Sequence, residues 1–230
     1  MRYVFTKQVR GNTVTARFIF LIALGFSTLI HSAFAAPLSV IVYGDSIAEG
    51  VALPAAERQQ AWIHQVELLS NGQFRMINES KAGRPTASLP EFSDMLKRRP
   101  QTDILVIALG TNDTHVLTNH TVMDAVSNVE QMVQMARTHY GEHLPVILLG
   151  PPNIRQDTLR TVHAVDGPTL KKIDSAFQVV AGQLRSDFVS LYGVIPDSAL
   201  AGDGVHPNGP GNTVIAEAVL DKLSTIAGNH

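Results

Sequence analysis

Short apolar runs alternate with amphipathic stretches along most of the chain, and this alternation is the first guide to its structure. The stretch from Pro54 to about Leu69 carries apolar residues at helical spacing, with Trp62, Val66 and Leu69 on one face. Similar stretches predict further helices over residues 89–98, 121–139, 169–184 and 211–226. Between them, short and mainly hydrophobic runs are typical of buried strands, over residues 40–43, 74–77, 104–109, 146–149 and 188–191.

Strands that alternate with helices in this way predict crossover connections between parallel strands. We therefore expect a three-layer α/β/α sandwich, in which a mainly parallel five-stranded sheet is covered by helices on both faces. Ligand sites in such sheets lie beyond the carboxyl ends of the strands. The polar stretch over residues 153–167 is predicted to be a long loop that borders this edge.

The first 35 residues differ in composition from the rest of the chain. A basic segment ends at Arg17, an apolar stretch covers residues 18–30, and Ala33-Phe34-Ala35 has the small-residue pattern of a cleavage site. We predict a signal peptide over residues 1–35, cut after Ala35, and one domain over residues 36–230. An uncleaved anchor is the alternative, although the apolar run is short of the roughly 20 residues that a spanning helix needs. The mature protein is accordingly expected in the periplasm or outside the cell, without a stable membrane span.

The net charge and the cysteine content exclude several kinds of partner and of bonding. The chain has 18 Lys and Arg and 20 Asp and Glu, and the predicted leader holds four of the basic residues and none of the acidic ones. The mature chain therefore carries 14 − 20 = −6 charges, which argues against nucleic acid as a partner. There is no cysteine, which excludes disulfides and thiolate metal sites. The composition does not indicate an oligomeric state.

A serine directly follows the first predicted strand. It ends the tripeptide GDS at residues 44–46, and a glycine turn at this place holds a serine hydroxyl out of the sheet. The segment DGVHP at residues 203–207 supplies a histidine and a carboxylate three residues before it. Because a serine hydroxyl needs an adjacent base, we predict that His206 accepts the Ser46 proton and that Asp203 holds the imidazole. The alternative for Asp203 is a capping or turn residue in its glycine-rich loop.

Two further motifs follow predicted strands. The glycine Gly83 comes after the second strand, and GTND at residues 110–113 comes after the third. GDS, the isolated glycine, GTND and DxxHP, in this order, resemble the SGNH/GDSL hydrolase family of serine esterases and lipases. The resemblance covers nearly all of the chain after about Ala36, and it implies a flavodoxin-like α/β fold.

The residues that flank these motifs are similar to two branches of that family. GTNDT at residues 110–114 and GPP at residues 150–152 are similar to arylesterase-like members, and GVALP at residues 50–54 is similar to periplasmic thioesterase/lysophospholipase members. The resemblance thus implies a carboxylic ester hydrolase, for which we expect short acyl chains. A thioesterase, a lysophospholipase and a glycan O-acetyl esterase are the alternatives. A non-hydrolytic acyltransferase or binding module is a more distant alternative. The presence of Ser46, Asp203 and His206 together argues against a pure binding module, which does not need all three.

The resemblance also assigns an oxyanion hole to the Ser46 amide, the Gly83 amide and the Asn112 side-chain amide. Glycine suits this role, since it allows a substrate close to its backbone, although Gly83 is alternatively a plain turn residue and Asn112 a cap. The expected reaction forms an acyl-enzyme with a small-molecule ester and needs no cofactor or metal. His115 and His120 form a conceivable metal pair, but they have no third ligand at zinc-like spacing. No substrate-binding residue is identified.

Four polar residues beside these motifs receive separate predictions. Asp45 and Asp113 are expected to bond loop amides or neighbouring polar groups instead of taking part in catalysis. Glu49 is expected either to contact substrate or to start a helix. Arg84 is expected to point toward the edge where the motifs meet, as an anion-binding group or as a solvated loop charge.

Overall fold

The strands of the protein pair side by side in a single parallel sheet. We analysed a computed structural model, which describes residues 36–114, 121–155 and 167–228. The strand order is β2-β1-β3-β4-β5, and every pairing is parallel. The strands are β1 Leu38–Gly44, β2 Phe74–Asn78, β3 Ile104–Ala108, β4 Val146–Leu149 and β5 Asp187–Val189.

Six α-helices surround this sheet within the described residues, together with three short 3-10 turns. The α-helices are α1 Ser46–Glu49, α2 Trp62–Leu69, α3 Leu89–Arg98, α4 Val122–Tyr140, α5 Gly167–Gln183 and α6 Gly209–Ala227. The 3-10 turns are Ala55–Gln60, Asn112–Thr114 and Asp197–Ala199. In the part of the chain that the structure describes, no helix has the length and hydrophobicity needed to cross a membrane.

Alternate side chains of the strands face two separate hydrophobic layers. On one face of β1, Val40 and Val42 pack with residues of α2 and α6. On the other face, Ile41 and Tyr43 pack with residues of α3, α4 and α5. Helices on both faces of a parallel sheet form the predicted three-layer α/β/α sandwich, so the expected fold class is confirmed.

The predicted and observed helices differ most between residues 54 and 69. This stretch is divided into a 3-10 turn and α2, because Ala61 has an extended backbone (φ −59°, ψ 137°). The amide of Trp62, at the start of α2, donates to Oδ1 of Asn212 at 3.0 Å. The helix therefore begins where a side chain from α6 caps it, and the local sequence carries no signal for a cap from so far along the chain. The last strand also differs from its prediction, since it ends at Val189 and leaves Leu191 buried beyond it.

Close packing explains the glycine at the end of β1. A Cβ atom at Gly44 would lie 2.6 Å from Cβ of Ala48 and 2.8 Å from Oγ of Ser80. Any larger residue would push α1 away from the strand. Gly44 thus lets the chain turn directly from β1, an inner strand of the sheet, into α1, whose first residue is Ser46.

Candidate active site

The predicted nucleophile begins a single helical turn at the carboxyl end of β1. Asp45 is the N-cap of this turn, and its Oδ1 accepts a hydrogen bond from the Ile47 amide at 2.9 Å. Ser46 is largely buried, with 8% of its surface exposed. Its Oγ lies 2.9 Å from Nε2 of His206, within hydrogen-bonding distance of a base.

A carboxylate from the same loop orients the histidine. Nδ1 of His206 lies 2.6 Å from Oδ2 of Asp203, and Oδ1 of Asp203 accepts hydrogen bonds from the amides of Val205 and His206 at 3.0 Å each. Burial alone raises the pKa of Asp203. The hydrogen bonds from the His206 ring and from the two amides outweigh that effect and hold the Asp203 pKa below its usual range. Asp203 is therefore an ionised acceptor that fixes the His206 ring with Nε2 toward the serine.

The loop that carries Asp203 and His206 is tied to itself and to the start of α6. The amide of Ala201 donates to the carbonyl of His206 at 2.7 Å, and Leu200 pairs with Pro207 in an isolated antiparallel bridge. Gly204 adopts a positive φ of 70°, a conformation that few other residues take without strain. Asn208 caps α6 by accepting from the Gly211 amide at 3.1 Å. The sharp turn between acid and base is thus a property of this backbone.

Gly83 lies on an exposed turn after β2, with a φ of 77° and no atom within 4 Å of the position where a Cβ would be. The neighbouring Ala82 amide donates to Oε2 of Glu49 at 2.6 Å, and the Lys81 amide donates to the carbonyl of Gly44 at 3.1 Å. Glu49 therefore ties the Gly83 turn to α1. It ends α1 instead of starting it, and its expected contact with substrate stays a prediction. Among the described residues, the amides of Ser46 and Gly83 have no protein acceptor. Both amides are thus available to a bound oxygen atom.

Asn112 begins the 3-10 turn that follows β3, and it joins the turns that follow β1 and β2. Its Nδ2 donates to Oδ2 of Asp45 at 3.3 Å and to the carbonyl of Arg84 at 3.1 Å. The Asn112 amide is therefore held beside the N-cap of the nucleophile turn and beside the Gly83 turn. Both hydrogens of Nδ2 thus have protein acceptors, and an oxyanion would replace one of them. The assignment of Asn112 as an oxyanion donor, like those of Ser46 and Gly83, stays a prediction.

Asp45 is a buried carboxyl group at the centre of these contacts, and only 2% of its surface is exposed. Its burial raises the pKa to about 6, although the Ile47 amide, nearby His206 and the Thr111 hydroxyl act in the opposite direction. The two ring nitrogens of His206 bond to Ser46 and Asp203. It bonds loop groups, as its sequence position indicated, and so does Asp113, whose carboxylate accepts from the amide and hydroxyl of Thr86.

The prediction for Arg84 is wrong in both of its forms. Only 8% of Arg84 is exposed, and its Nη1 donates to the carbonyls of Gly44, at 2.9 Å, and Glu79. Its guanidinium lies 4.0 Å from the centre of the Tyr43 ring and forms an ion pair with Glu91 at 3.5 Å. Arg84 is thus a structural side chain that joins β1 to the Gly83 turn. Tyr43 and Gly44 lie about 40 residues before Arg84, so a short motif could not have revealed these contacts.

A small cavity of about 20 Å³ lies beside the nucleophile turn. It is bounded by residues of α1 and α2 and by residues that follow β3, β4 and β5, including Ile47, Ala48, Trp62, Leu109 and Pro151. Its walls are mainly apolar, and the sequence offered no way to assemble them. The predicted signal peptide, the pair His115 and His120, and most of the 153–167 loop fall outside the described residues.

Comparisons with solved structures agree with the fold described above. The carbohydrate acetylesterase Est24 from Sinorhizobium meliloti has a TM-score of 0.71 at 19% identity, over 82% of this chain and 99% of that chain. The aryl esterase of M. smegmatis has a TM-score of 0.69 at 18% identity, over 82% and 99% of the two chains. TesA has a TM-score of 0.63 at 24% identity, over 80% and 97%. At these identities the structures establish a shared fold.

Sequence comparison identifies the family directly. A search among curated proteins gives no match. The profile of the GDSL-like lipase/acylhydrolase family, in contrast, matches residues 42–214, which is more than half of the chain. The matched region begins within β1 and includes both Ser46 and His206. The chain therefore belongs to the GDSL-like lipase/acylhydrolase family and is a hydrolase of carboxylic esters.

Proposed function

We propose that the protein cleaves short-chain carboxylic esters through an acyl-enzyme intermediate on Ser46. The observation that carries this proposal is the hydrogen-bonded chain from Ser46 through His206 to Asp203, with distances of 2.9 and 2.6 Å. A nucleophile, a base and a carboxylate that orients the base are the three groups that serine acyl transfer requires.

The first half of the reaction acylates the enzyme. Nε2 of His206 accepts the hydroxyl proton as Oγ of Ser46 attacks the ester carbonyl. The negative charge that develops on the carbonyl oxygen is stabilised by the amides of Ser46 and Gly83 and by Nδ2 of Asn112. The tetrahedral intermediate then expels the alcohol, which takes the proton from the imidazolium.

The second half restores the enzyme with the same groups. Water gives a proton to His206 and attacks the acyl-Ser46 ester, and the acid leaves as Oγ regains its proton. Asp203 stays ionised throughout and stabilises the imidazolium in both halves. The low pKa of Asp203 supports this assignment, because a neutral carboxyl group would stabilise that cation poorly.

Two observations support a short acyl group. The cavity beside α1 has a volume of about 20 Å³, which is too small for a long alkyl chain without rearrangement. Est24, whose structure matches 82% of this chain, is described as a carbohydrate acetylesterase. Acetyl esters, including those of glycans, are therefore the first class of substrate to test. The likeness to TesA keeps thioesters and lysophospholipids as a second class.

We also propose that the enzyme acts in the periplasm or outside the cell after removal of residues 1–35. The basic segment, the apolar stretch and the Ala33-Phe34-Ala35 pattern support this placement. N-terminal sequencing of the protein purified from an exported fraction is expected to begin at Ala36. A mature protein that retains its first residues and partitions with membranes would contradict the proposal.

An acyl-length series tests the proposed substrate. p-Nitrophenyl esters from acetyl to palmitoyl are assayed beside O-acetylated glycans, an acyl-CoA thioester and a lysophospholipid, with Ser46→Ala as the control. We expect kcat/KM to be highest for acetyl or propionyl esters and to fall as the chain lengthens. A maximum at long chains, or on the thioester, would overturn the short-acyl assignment but retain the triad. No Ser46-dependent turnover of any ester would overturn the proposed function.

A further inference from the structure

The acid–base pair lies on a long connection that has little regular structure of its own. Residues 190–208 join β5 to α6, and the described elements within them are one 3-10 turn, Asp197–Ala199, and the bridge at Leu200. Asp203 and His206 are near the end of this connection. Their position relative to Ser46 must therefore depend on contacts with other parts of the chain.

One short segment after β4 reaches this connection at several points. Asn153 is partly buried, and its Nδ2 donates to the carbonyl of Ile195 at 2.9 Å. Its Oδ1 accepts from the amide of Gly193 at 2.9 Å. A single asparagine side chain thus holds the first half of the connection through both its donor and its acceptor.

The next two residues reach the turn between acid and base. The amide of Arg155 donates to the carbonyl of Gly204 at 2.8 Å, and its Nη1 donates to the carbonyl of Asp197 at 3.2 Å. Ile154, with 8% of its surface exposed, packs in a small hydrophobic cluster with Val205 and Leu170. Gly204 and Val205 are the two residues that separate Asp203 from His206.

We propose that residues 153–155, the bridging segment, position the Asp203–His206 pair for catalysis, with Ile154 and Asn153 as positioning residues. The segment fixes both residues of the turn between acid and base, so its loss would let the His206 ring move away from Ser46. A displacement of about 1 Å at reacting groups costs as much as a hundredfold in rate. The inference rests on the proposed function, because it assigns a role in the same triad.

The test compares two isoleucines of nearly equal burial. Ile154→Ala removes the contact with Val205, and Ile226→Ala is the matched control, since Ile226 is 7% exposed and Ile154 is 8% exposed. Ile226 lies about 25 Å along α6 from the end nearest His206, taking a rise of about 1.5 Å per residue. Each variant is assayed for kcat, KM and thermal unfolding, and by proton NMR for the downfield signal of the Nδ1 proton shared by His206 and Asp203. Ile154→Val, which keeps most of the packing, is the rescue variant.

We expect Ile154→Ala to lower kcat by about tenfold to a hundredfold, with little change in KM, and to shift or broaden the downfield proton signal. Ile226→Ala lowers the melting temperature but leaves kcat and the signal unchanged, and Ile154→Val restores both. A normal kcat and signal in folded Ile154→Ala, or equal losses in Ile226→Ala, would overturn the proposal. If Ile154→Ala does not fold, Asn153→Ala is judged against the wild type by the same kcat and signal criteria. The NMR signal needs no substrate, so a wild type inactive on every ester would contradict the proposed function alone.

Discussion

The nucleophile and the acid–base pair meet at one edge of the sheet, but the protein holds them there in different ways. Ser46 follows β1, whose residues Val40, Ile41 and Val42 are completely buried, and the cap of its helical turn is its own neighbour Asp45. His206 instead follows an irregular connection after β5, a three-residue strand at the end of the sheet. The nucleophile is thus placed by the core, and its partners are placed by polar contacts within and between loops together with the small cluster around Val205.

This difference predicts which substitutions lower activity alone and which lower both activity and stability. Changes at the groups that meet substrate or His206 are expected to affect rate with little effect on folding. Changes at the supporting glycines and buried carboxyl groups are expected to affect both, in proportion to the strain or charge that they introduce.

Among substitutions in the loop that carries Asp203 and His206, Asp203→Asn is expected to have the largest effect on kcat. The amide keeps the shape of the carboxylate but cannot stabilise the imidazolium, so kcat should fall by about 10⁴-fold. The melting temperature should change little, because Asn can still accept from the amides of Val205 and His206. Steady-state kinetics and thermal unfolding check both parts. A loss of less than tenfold would show that another group orients His206.

Asn112→Ala tests a residue that contacts both the nucleophile turn and the Gly83 turn. Loss of one oxyanion donor should lower kcat by about 10²–10³-fold, or about 2.7–4 kcal/mol of barrier, with KM almost unchanged. An unchanged kcat with a raised KM would make Asn112 a binding residue instead. Asn112→Asp is the shape-matched control, since it places an acceptor where the oxyanion forms and should not recover activity.

Asp45, the buried cap of the nucleophile turn, is expected to make the stability of the protein depend on pH. Its folded-state pKa of about 6 is above the ordinary value of 3.8, so its contribution to stability is complete below about pH 4 and is lost as the pH rises through 6. The change amounts to about 3 kcal/mol, at about 1.4 kcal/mol for each pH unit. Asp45→Asn removes the titrating group, so the wild type should lose stability relative to this variant between pH 4 and 7.

Urea unfolding of the two proteins at several pH values measures this difference. Other carboxyl groups titrate in both proteins and cancel in the comparison. A difference in the free energy of unfolding that stays constant from pH 4 to 7 would contradict the raised pKa. The variant also loses the acceptor for Nδ2 of Asn112, so a moderate fall in kcat is expected beside the change in stability.

The smallest expected effect is a loss of stability at one glycine of the loop that carries Asp203 and His206. A second glycine of the same loop serves as its control. Gly204 has a φ of 70°, whereas Gly202 is not in the left-handed region and has no atom within 4 Å of the position of an added Cβ. Gly204→Ala should therefore cost about 1–2 kcal/mol of stability, and Gly202→Ala close to nothing. Equal melting temperatures for the two variants would mean that the loop relaxes without strain.

The sequence was sufficient for the parts of the molecule that depend on local pattern. The strand runs and the helices over residues 89–98, 121–139, 169–184 and 211–226 lie within one or two residues of the observed elements. Ser46, Asp203 and His206 were found because their spacing forms a motif, and the structure brings the three side chains together.

The parts that depend on contacts between distant residues were not predictable in this way. The helix predicted from Pro54 is broken at Ala61 because Asn212 caps α2 from α6. Arg84 looked like a loop charge, yet it is buried over Tyr43. Asn153 carries no motif at all, since its role depends on carbonyl and amide groups about 40 residues further along the chain.

Covalent labelling of the nucleophile tests the central claim most directly. A serine-directed phosphonate is added to the purified mature protein, and the modified peptide is identified by mass spectrometry. We expect one label, on Ser46, and parallel loss of activity toward p-nitrophenyl acetate. Ser46→Ala should take up no label, fold normally and lose about 10⁶-fold in kcat. A label on another residue, or full activity in Ser46→Ala, would contradict the account.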